Sequence, residues 1–142
     1  MPTWIFYAAG TAVLLATAEV LVKFAAGKLS NNIALLLFGC STFLISAGWI
    51  IMDRWRGVVL AAQPIGLLVA TAVGVTFTFV TLGLYTTFAA GAPISLASPL
   101  IRLSGLLLAS IAGLLLFREP FTWRYAAGIL LAISGIYLII TR

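Results

Sequence analysis

The sequence predicts an all-α integral membrane protein, a bundle of five transmembrane helices. Two observations carry this. Hydrophobic residues fill 63% of the 142 positions and charged residues only 8%, with a mean hydropathy of +1.23; a soluble domain is roughly 25% charged and 45–50% apolar. The chain also holds long uncharged stretches, among them residues 33–52 and 57–101, and about 20 mostly apolar residues suffice for one crossing. A soluble single domain, a disordered chain and a disulfide scaffold are thereby excluded.

Each element follows from where charge, proline and glycine interrupt the apolar runs. Residues 4–26 form the first expected span, interrupted only by Glu19 and Lys23. A turn at Gly27-Lys28-Leu29-Ser30-Asn31-Asn32 leads into the second, 33–52, which Asp53-Arg54-Trp55-Arg56 closes. The stretch that follows is too long for one span. Pro64 and the Gly91-Ala92-Pro93 cluster divide it into 64–90 and 93–117, and so short a link makes those two helices antiparallel neighbours. Arg118-Glu119-Pro120 ends the fourth span, and 121–141 makes the fifth. The whole chain, 1–142, reads as one membrane domain with no room for a soluble one. Aromatic residues mark the expected lipid–water boundaries: Trp4 and Tyr7, Trp49 and Trp55, Trp123 and Tyr125. The first span does not read as a cleavable signal peptide, since it is long, holds two charges and lacks a basic leader. No lipidation or retention motif ends the chain.

The composition narrows function further. With three acids, no histidine and one cysteine, Cys40, imidazole-based zinc sites and catalytic triads are impossible, and general acid–base catalysis has few groups to use. Walker, GxSxG, HExxH and selectivity-filter sequences are missing. No enzyme activity, cofactor or metal is expected. The net charge of +5 is scattered singly along the chain, so nucleic acid is not an expected partner; the lipid bilayer is.

Five spans place the termini on opposite sides. Arg54, Arg56, Arg118 and Arg124 share the N-terminal side, against Lys23, Lys28 and Arg142 on the other. Orientation follows the Lys/Arg excess of short loops. The small bias favours an N-terminus inside and leaves room for insertion both ways.

Three charges fall inside spans, where each costs roughly 2.5–3.5 kcal/mol at the bilayer centre. Glu19 is the only interior acid and the one group available for coupling to ions. Lys23 follows it at i+4 on the same face, which leaves open a local ion pair with Lys23 reaching toward the interface. Arg102, inside span four, can hold a carboxylate or phosphate in two-pronged fashion; the alternatives are pairing with Glu19 or reaching an interface. Hydroxyls align near these charges: Thr71, Thr78, Thr81 and Tyr85 on one face of span three, and Ser95, Ser98 and Arg102 on one face of span four. Such stripes line polar cavities, glue helices together or bond their own backbone. Gly105, Ala109 and Gly113 recur every fourth residue, and Gly128 and Gly135 stand seven apart, spacings suited to close helix packing within the chain or across a dimer.

Residues 93–142 resemble the second part of an EamA-type domain of the drug/metabolite transporter superfamily. The resemblance rests on Pro-Ile-Ser-Leu-Ala-Ser-Pro-Leu-Ile-Arg-Leu-Ser from Pro93, on Arg118-Glu119-Pro120, and on Gly-Ile-Leu-Leu-Ala-Ile-Ser-Gly from Gly128 to Gly135. Pro99 matches the proline that opens the family's fourth helix, and Glu119 the acid that ends it. The first helix, ending Val-Leu-Val-Lys-Phe-Ala at 20–25, extends the likeness over nearly the whole chain. The small multidrug resistance proteins are more distant relatives, and Gly128 and Gly135 match their glycine pair. Aligned through Lys23, Glu19 falls about one turn later than their essential acid. That offset, and the cation-repelling Arg102, point away from export of drug cations.

The resemblance implies one EamA-type unit, half of an inverted-repeat transporter, in a prokaryotic cytoplasmic membrane. A one-unit chain is expected to work as a homodimer, antiparallel by analogy, or as a heterodimer. The leading expectation is a secondary transporter of a small metabolite, with a midplane site among helices one, three and four and alternating access around it. Arg102 would hold an anionic group on the substrate, and Glu19, with Lys23 beside it, would supply coupling or counter-charge. Thr78, Thr81, Tyr85 and Ser98 would line the path, and Gly105, Gly113, Gly128 and Gly135 would pack helices. Two other readings stand beside it: a flippase-like subunit for a polyprenyl-phosphate-linked lipid, and a structural membrane subunit without transport.

Overall fold

A computed structural model describes residues 3–141; Arg142, which entered the charge count above, lies outside the described residues. Among the described residues the chain is helical without strands, apart from an isolated bridge between Ala26 and Leu29. The helices are α1 (Trp4–Ala25), α2 (Asn31–Trp55), α3 (Pro64–Ala89), α4 (Ile94–Leu116) and α5 (Trp123–Ile140). All five are long and apolar enough to cross a membrane.

Helix ends depart from the apolar stretches for local reasons. The second stretch, 33–52, understates α2, which begins at Asn31 and runs to Trp55. Polar residues end an apolar run but need not end a helix. Extended Ser30 starts α2, and Gly57, at φ 72°, stops it. The fifth stretch, 121–141, overstates α5. Thr122 caps that helix by accepting the Tyr125 N–H at 3.2 Å, so Phe121 and Thr122 stay outside. The other three helices match their expected spans to within one residue at each end.

The α4 terminus is unusual. Glycines with positive φ follow α1, α2 and α3, but Arg118, at φ 52°, holds that place after α4. The left-handed residue reverses the chain, and the Glu119 N–H turns back to the Gly113 carbonyl at 3.3 Å.

The chain forms two compact units: α1–α3, up to Gly91, and the α4–α5 hairpin, from Ala92. In the first, α3 is central, with both α1 and α2 packed on it. In the second, α4 packs on α5. The distribution of side chains is the reverse of a soluble fold. Leu131 and Trp123 are 73% and 84% exposed while Glu19 is 4% exposed.

Candidate functional site

In the first unit, helical period places Glu19 and Lys23 one turn apart on α1. Glu19 is that helix's buried residue, and Lys23 is half-buried. On α3, Thr81 and Phe88 are buried, and Tyr85, between them, is half-buried. The Lys23 ammonium stands over the Phe88 ring, 5.5 Å from its centroid, in range for a cation–π attraction. Lys23 is thus turned onto an aromatic face of α3.

The hydroxyl stripe of α3 changes character along its length. Thr71 is exposed, Thr78 half-buried and Thr81 buried. All three donate to their own helix, to the carbonyls of Leu67, Gly74 and Phe77, at 2.9 Å each. A hydroxyl has one proton to give. With it spent on the backbone, Thr78 and Thr81 face any visitor only as acceptors. Thr78 also lines a shallow groove of about 570 Å³ walled by α2 residues, among them Leu35, Gly39, exposed Cys40 and Phe43.

In the second unit, Ser98 and Arg102 lie one turn apart on α4, both half-buried. Gly105, Gly128 and Gly135 have open space where a β-carbon would stand, whereas at Gly113 that position lies 2.9 Å from Glu119 Oε2. The close approach at Gly113 comes from the carboxylate of the turn, not from another helix. Between α4 and α5 runs an apolar groove of about 440 Å³. Its mouth carries an edge-to-face pair, Phe121 and Tyr125, with ring centroids 6.3 Å apart.

Phe88 is the residue that sequence reasoning missed. It lies seven after Thr81 and three after Tyr85, in phase with the hydroxyl stripe, so the helical period contained the signal. Among the described residues no group of His, Cys, Asp and Glu is placed to hold a metal ion. Comparison with protein-family models, curated proteins and solved structures found no match.

Proposed function

We propose that this chain is the subunit of an EamA-type secondary transporter, integrated in a prokaryotic cytoplasmic membrane and acting as a dimer on a small metabolite that carries an anionic group. The observation that carries this reading is the burial of Glu19, 4% exposed in a chain whose large apolar side chains mostly face outward. An ionisable group held inside an apolar bundle is costly, and such groups mark substrate or ion pathways.

The roles follow from the chemistry of each group. Glu19 is the coupling or counter-charge residue. Arg102 on α4 supplies positive charge for the substrate's anionic group, and Lys23, over the Phe88 ring, accompanies Glu19 on α1. Thr78 and Thr81, with their protons committed to backbone carbonyls, accept hydrogen bonds from substrate N–H or O–H groups. Gly128 and Gly135 are open along one flank of α5, which suits the approach of a partner helix.

The test is uptake of radiolabelled small carboxylates and organic phosphates by proteoliposomes. Wild-type protein is expected to take up at least one of them, with Glu19→Gln and Arg102→Ala each removing that uptake. Uptake by both variants at the wild-type rate, or no uptake of any anion by wild type, refutes the proposal.

A further inference from the structure

We propose that the groove between α4 and α5 is a binding site for one anionic glycerophospholipid, held as a resident of the fold. This rests on placement in a bilayer but not on transport. The groove is lined by Leu107 and Leu114 of α4, by Phe121, and by Tyr125, Ile129 and Ile133 of α5, with Ser110 its only aliphatic hydroxyl. Its depth matches one leaflet. From Trp123 to Ile133 the helix rises about 15 Å, half of a hydrocarbon core about 30 Å thick. An acyl chain entering at Phe121 and Tyr125 would end near the midplane, at Leu107 and Ile133.

Charge at the mouth selects the headgroup. The turn from α4 to α5 carries Arg118, and Arg124 follows in the first turn of α5, both exposed. The acid of that turn, Glu119, has its carboxylate folded against Gly113. Trp123 and Tyr125 sit at the same level, as aromatic residues do at headgroup depth. Arg124 points to the far side of α5 by helical period, so Arg118 is the main headgroup contact and Arg124 adds to the local field. The groove residues of α5 and the Gly128–Gly135 flank are separated by about 140° around the helix. A partner helix seated on the glycines therefore does not cover the groove.

Native mass spectrometry of the full chain, released from micelles with equal amounts of phosphatidylglycerol and phosphatidylcholine, tests the site. Wild type is expected to retain phosphatidylglycerol preferentially. Arg118→Gln should lower that preference about fivefold, the worth of one arginine at an anionic surface, and Arg124→Gln should lower it less. Ile129→Trp, which fills the groove, should reduce retention of both lipids. Equal retention of the two lipids by wild type, or a preference untouched by Arg118→Gln, overturns the proposal. So does an Ile129→Trp variant that dissociates a dimer while keeping its lipid, because the groove would then be covered by a second copy. Alkaline carbonate extraction of cell membranes reads the bilayer placement separately: release of wild type into the supernatant would defeat that placement itself.

Discussion

The two units of the chain keep different things away from water. The α1–α3 unit buries a carboxylate and a hydroxyl, Glu19 and Thr81, with Phe88 under the Lys23 ammonium. In the α4–α5 hairpin, α5 has no buried residue, α4 buries only Ala97 and Gly113, and the groove between them is apolar. The first unit buries whole polar side chains, while the second half-buries Ser98 and Arg102 on α4 and lines its groove with apolar ones. In water the first arrangement would be costly and the second would leave apolar patches open. Both become sensible when the surrounding solvent is hydrocarbon, which has no reason to drive Leu or Phe inward.

The contrast can be broken most severely at Phe88. Phe88→Ala removes a buried ring and is expected to cost about 3–5 kcal/mol, read as a fall in resistance to SDS unfolding. Phe88→Leu keeps most of the apolar volume and loses only the ring face. It should cost no more than about 2 kcal/mol, the upper range for a desolvated cation–π contact, and that cost should vanish in a Lys23→Met background. An equal cost in both backgrounds would show that packing, and not the ammonium, needs the ring.

Leu131 sharpens the other half. It is 73% exposed at the middle of α5. On a protein surface facing water, Leu131→Arg would change stability by less than about 0.5 kcal/mol. Facing lipid, it should cost about 3 kcal/mol of insertion free energy, measured as the membrane-integrated fraction in a translocation assay. The smallest effect is expected at Thr122→Ala, which removes the cap of α5 and should cost about 1 kcal/mol in the same unfolding assay as Phe88→Ala.

Much of the architecture was legible in the residues. Proline, glycine and charge punctuate an otherwise apolar chain, so five helices could be counted and three of them bounded closely. The ends of α2 were not, because hydropathy records where oil stops and a helix continues while its backbone bonds allow; Asp53 and Arg54 stay helical. The in-facing carboxylate of Glu19 was legible from its cost. The Phe88 ring under Lys23 was not, since spacing along α1 carries no information about α3, and only tertiary packing brings the ring beneath the ammonium. The Glu119 carboxylate beside Gly113 was not legible either, because it depends on the left-handed turn at Arg118. The α3 hydroxyls aligned on one face as expected, but whether their protons were available depended on rotamers that spacing does not fix.

The length of α3 has a mechanical consequence. Its 26 residues make a rod of about 39 Å at 1.5 Å per residue, against about 30 Å of hydrocarbon. Such a rod must lean by roughly 40° or push an end among the headgroups. Stretching the lipid film would let it stand straighter, and α3 carries Thr81, Tyr85 and Phe88 with it. For the transporter proposed above, bilayers of longer acyl chains should therefore alter uptake with no change of sequence.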